Sequence, residues 1–159
     1  MSVWFNPARE LDALLRSVAP QVPGFDSQFD PELRPSDPRH ADFQANGVLA
    51  AAKRVKQNPR ALATSLLEAV RASGKLNERL ITTEVAGPGF INFKLTPLAL
   101  GTWLKEYRDE SKWRAGAAKI MGGRKVVIDY PSPNTAKQMH VGHLRPIVIG
   151  EAVARLIEF

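Results

Sequence analysis

The chain has 159 residues, 44% hydrophobic and 24% charged, with a formal net charge of +6. This is the composition of an ordinary globular protein, one medium domain or a small domain with part of another. It has no cysteine, hence no disulfide framework and no thiolate metal site, and it shows neither a signal-peptide pattern nor an apolar run near the ~20 residues of a membrane span, so a soluble cytoplasmic protein is expected.

The charge is uneven. Residues 1–50 carry four Lys/Arg against seven Asp/Glu, residues 51–100 eight against three, and residues 101–159 ten against six. The positive excess after Lys53 fits a polyanion such as RNA or a merely solvated basic face.

In chain order, Asn6-Pro7 reads as an N-cap with proline in the first turn, followed by a Leu11, Leu14, Leu15, Val18 stripe. Prolines 20, 23, 31, 35 and 38 then make residues 20–40 an irregular connection, long enough to be functional or packed on a neighbour. Asp42 is expected to start a second helix running to about Gln57. Asn58-Pro59 starts a third, with Leu62, Ser65, Leu66, Ala69 and Val70 on its buried face and Gly74 as its stop. Leu80–Ala86 and Phe90–Leu95 read as two strands around Gly87-Pro88-Gly89. In the second strand Ile91, Phe93 and Leu95 share one face, and Phe90, Asn92 and Lys94 share the other. An aromatic, an amide and an ammonium in a row suit a base and its phosphate, though the pattern equally fits an edge strand with an exposed ring. Two short strands need the helices, and a further pair of strands from the irregular region, to form an α+β layer. Thr96-Pro97 caps another helix, and the charged, glycine-containing residues 111–123 are expected as a linker.

Val126-Val127-Ile128 has no polar alternation, as in a strand buried on both faces of a parallel sheet. Pro131 and Pro133 break the chain into a loop, and Val141, Leu144, Ile147, Val148, Val153, Leu156 and Ile157 then follow a helical period. Between loop and helix stands His140-Val141-Gly142-His143. A helix start offers unpaired N–H groups and partial positive charge to a phosphate, and Gly142 lets a base or ribose lie against the backbone. Two imidazoles three residues apart lean the same way and would stabilise charge as an α-phosphate is attacked. A metal pair is the competing reading of H-x-x-H, but Asp129 is the only local third ligand, and no zinc is expected.

The run Ser132-Pro133-Asn134-x-x-Lys137-x-Met139-His140-Val141-Gly142-His143-Leu144-Arg145 closely resembles arginyl-tRNA synthetases. The HxGH element is common to class I synthetases and related nucleotidyltransferases, whereas SPN with the following lysine resembles the arginine enzyme in particular. The resemblance extends back through Ala41-Asp42-Phe43-Gln44-Ala45-Asn46-Gly47 and Gly87-Pro88-Gly89-Phe90-Ile91-Asn92-Phe93. It implies an N-terminal α+β tRNA-recognition domain over 1–110, a small antiparallel sheet with helices. After the linker, 124–159 would be the first strand-loop-helix of a Rossmann-type α/β nucleotide-binding domain, truncated at Phe159.

By that resemblance, His140, Gly142 and His143 bind ATP, and His140, His143 and Lys137 are catalytic. Ser132, Asn134, His140 and Asp129 face the arginine substrate, and Phe90 and Asn92 contact a base of the tRNA D-loop. Lys137 would stand in for the lysine of a KMSKS loop, and Pro146 replaces a usual serine. The implied substrates and partners are L-arginine, ATP with Mg2+, and tRNA(Arg). The implied whole reaction is arginine–tRNA ligation, with this chain an N-terminal fragment that binds the D-loop without catalysing. A stand-alone RNA-binding module and a small HxGH nucleotidyltransferase are the alternatives, the latter opposed by the SPN-x-x-K element.

Overall fold

The structure is a computed structural model and describes residues 3–130, 132–134 and 136–158. Pro131, read above as part of a loop, lies outside the described residues. The chain divides into two compact units, Met1–Arg108 and Asp109–Phe159.

The first unit begins with α1, Pro7–Val18, whose cap Asn6 accepts a hydrogen bond from the Arg9 N–H at 3.1 Å. Leu11, Leu14, Leu15 and Val18 are buried, so the apolar stripe sits where its spacing puts it. The irregular connection supplies β1, Leu33–Pro35, and buries Phe25 and Phe29. Next comes β2, Phe43–Ala45, and only then α2, Val48–Val55. This corrects the expectation of a helix starting at Asp42. The Asp42 N–H donates to the Phe93 carbonyl at 3.0 Å, and its carboxylate accepts from the Leu95 N–H at 2.7 Å. Residues 42–45 are thereby drawn into a sheet, where pairing overrides local helix preference.

Helix α3, Pro59–Ala72, starts on Asn58, which accepts from the Arg60 and Ala61 N–H groups. It buries Leu62, Leu66 and Val70, whereas Ser65, expected on that face, is exposed. Strands β3, Ile81–Ala86, and β4, Phe90–Leu95, complete a four-stranded antiparallel sheet in the order β1-β2-β4-β3. Ile91 and Phe93 are fully buried in the core with residues of α1, α2 and α3. Helix α4, Pro97–Glu106, is capped by Thr96. The Trp103 indole N–H donates to the Phe5 carbonyl at 3.2 Å and the Tyr107 hydroxyl to that of Val3 at 3.1 Å, which ties down the N-terminal segment.

In the second unit the stretch expected as a linker, 111–123, is mostly helical: α5 spans Glu110–Met121. Asp109 caps it by accepting from the Ser111 N–H, and Gly122 ends it in the left-handed region at φ 62. Residues 126–128 form no strand, another departure from expectation, because no strand lies beside them among the described residues to accept their backbone bonds. Val127 is 94% exposed. Helix α6 spans Val141–Glu158 and holds Pro146 past its first turn, where the ring removes the bond an N–H would make to the Gly142 carbonyl. Among the described residues neither α5 nor α6 buries a side chain, and no helix is long and apolar enough to cross a membrane.

Candidate functional site

Two places gather the side chains that the sequence singles out, one in each unit. The first is the sheet face opposite the core. Since Ile91 and Phe93 point into the core, Phe90, Asn92 and Lys94 share the other side of β4. The register sets Asn92 between Gln44 of β2 and Glu84 of β3, so three polar side chains form one row across the strands. Gln44 donates from Nε2 to Asn92 Oδ1 at 2.8 Å. Lys94 is exposed and Phe90 half-buried. Asn92 differs from a simple outward residue: it keeps only 8% of its surface, enclosed by the row on either side.

The β3–β4 turn beside Phe90 is held firmly. Gly87 and Gly89 have φ of 51 and 149, which few side chains tolerate. A Cβ on Gly89 would also meet the Pro59 carbonyl oxygen at 2.7 Å. Arg60 of α3 donates to the Gly87 carbonyl at 2.8 Å, placing a cation at the turn. The ring of Phe90 packs against Gly87, where a Cβ would meet it at 3.4 Å. The unit therefore presents a ring and an amide on a rigid hairpin.

The second place is the loop and helix start of the second unit. His140 and His143 come together, with ring centroids 4.2 Å apart. The Gly142 N–H donates to His140 Nδ1 at 3.1 Å, and the His140 N–H donates to His143 Nδ1 at 3.1 Å. The geometry is a capping box built from two imidazoles. Each ring engages the helix start through Nδ1, and His143 Nδ1 also lies 3.2 Å from the His140 carbonyl, so whether it accepts or donates follows the tautomer; neither Nε2 is hydrogen-bonded among the described residues. A Cβ on Gly142 would lie 2.8 Å from His140 Cε1, so a side chain there would displace that ring.

Nearby, the Ser132 hydroxyl donates to Asp129 Oδ1 at 3.2 Å. Asn134 closes its own turn, accepting from the Ala136 N–H through Oδ1 at 2.9 Å and from the Lys137 N–H through its carbonyl at 3.2 Å. Lys137 is exposed. The structure thus pairs His140 with His143 and Ser132 with Asp129, and brings neither Asn134 nor Lys137 into bonded contact with them. Among the described residues no three His, Cys, Asp or Glu side chains converge as metal ligands.

Sequence reasoning passed over two pairs. One is Gln44 with Asn92, which are 48 residues apart. The other is Tyr130 with Glu151: the tyrosine hydroxyl donates a short hydrogen bond to the carboxylate. That bond, followed by Arg155, holds the Glu151 carboxyl below its usual range, and the same bond pushes the Tyr130 hydroxyl up. The Tyr130 ring lies on Gly150, where a Cβ would meet it at 2.3 Å, so the segment leaving residues 126–128 is fastened to α6. Gly150 within an apolar helix was the available signal.

Comparison with known proteins adds identity to this geometry. A family model described as the arginyl tRNA synthetase N terminal domain matches residues 9–95. One described as the catalytic domain of class I (R) tRNA synthetases matches residues 110–159. An arginine–tRNA ligase of Parasynechococcus marenigrum (strain WH8102) is 41% identical over 151 residues, 94% of this chain and 25% of that protein. One of Laribacter hongkongensis (strain HLHK9) is 45% identical over 130 residues, 81% of this chain and 22% of that protein. The chain spans about a quarter of the length of the curated relatives it matches. The crystal structure of Plasmodium falciparum arginyl-tRNA synthetase has a similar fold, with a TM-score of 0.63 at 18% identity, over all of this chain and 29% of that one.

Proposed function

The chain belongs to the arginyl-tRNA synthetase family, and on that premise we propose that it serves as the tRNA-reading and opening catalytic part of an arginine–tRNA ligase acting in the cytoplasm. Residues 1–110 hold the D-loop of tRNA(Arg), stacking a base on Phe90 and reading its edge with Asn92. In the whole ligase residues 124–159 supply the opening strand, loop and helix of a Rossmann-type nucleotide fold, with residues 126–128 pairing as a strand only beside the rest of that sheet.

In the whole reaction a carboxylate oxygen of arginine attacks the α-phosphorus of ATP. Pyrophosphate leaves and arginyl-adenylate forms. A hydroxyl of the terminal tRNA adenosine then attacks the aminoacyl carbonyl, giving arginyl-tRNA and AMP. His140 and His143 donate from Nε2–H to phosphate oxygens as charge builds there. Gly142 leaves room for the adenosine, and Lys137 neutralises the triphosphate. Ser132, Asn134 and Asp129 take the α-amino and carboxylate end of arginine, with His140 beside the carboxylate. Magnesium enters with ATP as part of the substrate.

The observation that carries this reading is the pair of imidazoles, ring centroids 4.2 Å apart, that cap their own helix start through Nδ1 just after the SPN loop in the chain. Its test is a chimera in which this chain replaces the matching segment of the Laribacter hongkongensis ligase. The chimera should charge tRNA(Arg), and His143→Ala within it should lower kcat at least a hundredfold, roughly the cost of a lost oxyanion donor. A folded, tRNA-binding chimera that does not charge, or one indifferent to His143→Ala, would contradict it. The chain alone should give no arginine-dependent ATP–pyrophosphate exchange.

A further inference from the structure

Asn92 is the one polar side chain among the buried residues of the first unit's described core region, and its amide does not stand alone. An amide has a donor end and an acceptor end, and a base edge is read by the order in which it meets them. Left to itself, the amide turns over by rotation about χ2, and either order is available. Here Gln44 Nε2–H holds Oδ1 at 2.8 Å. Oδ1 is thereby fixed toward β2, and the NH2 group toward the other side. Among the described residues that NH2 group has no acceptor of its own, and it is not sealed from solvent.

Gln44 is placed opposite Asn92 by the strand register. It pairs with Asn92 across the β2–β4 ladder, and the neighbouring Asp42 carboxylate binds the Leu95 N–H at 2.7 Å on the same strand pair. Gln44 and Asp42, the residue just before β2, both reach over to β4. We propose that Gln44 is a positioning residue that sets the donor–acceptor order with which Asn92 meets a nucleic-acid base, and so helps to set which base is accepted. The inference rests on the reading of Phe90 and Asn92 as a D-loop contact. It adds that specificity at this contact is determined from the neighbouring strand, by a residue that need not touch the RNA.

The substitutions follow from the hydrogen-bond chemistry. Gln44→Met keeps length and removes the donor, so the amide loses its preferred order. Gln44→Glu replaces the donor by an acceptor, which favours the Asn92 NH2 group and turns the amide over. A merely structural role would change stability in both variants but would not exchange one preferred base for another.

The test is binding of the full chain to tRNA(Arg) transcripts carrying each of the four bases at each D-loop position, at fixed salt, with wild type, Asn92→Ala, Gln44→Met and Gln44→Glu. Circular dichroism and thermal melting confirm that each variant is folded. Wild type should prefer one base at one position by about tenfold or more. Gln44→Met should bring that ratio near one, as Asn92→Ala does, with overall affinity changed far less. Gln44→Glu should shift the preference to a base with the opposite donor–acceptor order. If Gln44→Met does not fold, Gln44→Glu decides. Should Asn92→Ala abolish the preference while both Gln44 variants retain it, the positioning role is overturned and the D-loop reading stands. Should wild type show no preference at any D-loop position, both fall together.

Discussion

At the scale of single residues, Gly47 is the glycine of the first unit with the least room for a side chain. A Cβ there would meet the Asp30 carbonyl oxygen at 1.8 Å, so the connection into β1 lies directly on the backbone at the start of α2. Gly47→Ala should cost about 3 kcal/mol, the upper range of overpacking, measured by urea unfolding followed by circular dichroism. A wild-type midpoint would show that the connection is displaced cheaply. Asp30 supplies a second expectation. The Glu32 N–H, and then Arg16, hold its carboxyl below the ordinary range. A lowered folded pKa gives stability that is present above the unfolded value of about 4 and lost as pH falls through the folded value. Asp30→Asn should therefore flatten the acid side of the stability curve between neutral pH and about pH 3. The effect is small because the pair is exposed. Urea midpoints at the two ends of that range provide the check, and an unchanged slope would contradict it.

At the scale of elements, caps decide where the helices start. Asn58 accepts from both the Arg60 and Ala61 N–H groups. Asn58→Ala should cost about 1 kcal/mol in the same unfolding assay, and a neutral result would remove the cap from the account. Helices α1, α3, α4 and α6 were legible because each couples a cap, a proline or a glycine to a repeating apolar stripe. Strands β3 and β4 were legible from their six-residue runs around a glycine-rich turn. Strands β1 and β2 were not, since three residues hold too little alternation to be recognised. Their existence depends on bonds from Asp42 to residues more than fifty positions away, which no local window contains. The stretch that forms α5 is charged and contains glycine, which points to a linker, although its Asp109 cap and Gly122-Gly123 end are ordinary helix signals. At the candidate sites, His140-Val141-Gly142-His143 and Phe90-x-Asn92 were visible as residue types in order. What holds Asn92 was not, because Gln44 becomes its neighbour only through the β2–β4 register.

At the scale of the molecule, the two units differ in how they bury apolar surface. The first has a continuous core from Val3 to Ala99, while α5 and α6 have no buried residue among those described. Hydrogen exchange should therefore find the slowest amides in α3 and β4, and faster exchange along α6. Equal protection in α6 would contradict this. Residues 1–108 alone should melt cooperatively, near the temperature of the whole chain, because among the described residues the buried core lies within them. The central claim is that this first unit reads a particular nucleotide and is more than a basic surface. The measurement that tests it most directly is the affinity of the chain for a tRNA(Arg) transcript at near-physiological salt, against transcripts with altered D-loop bases, repeated with Asn92→Ala. The account predicts a loss of about 1–3 kcal/mol from the decisive base change and a similar loss from Asn92→Ala, without an additive loss when the two are combined. Binding that follows salt alone, whatever the base, would contradict it.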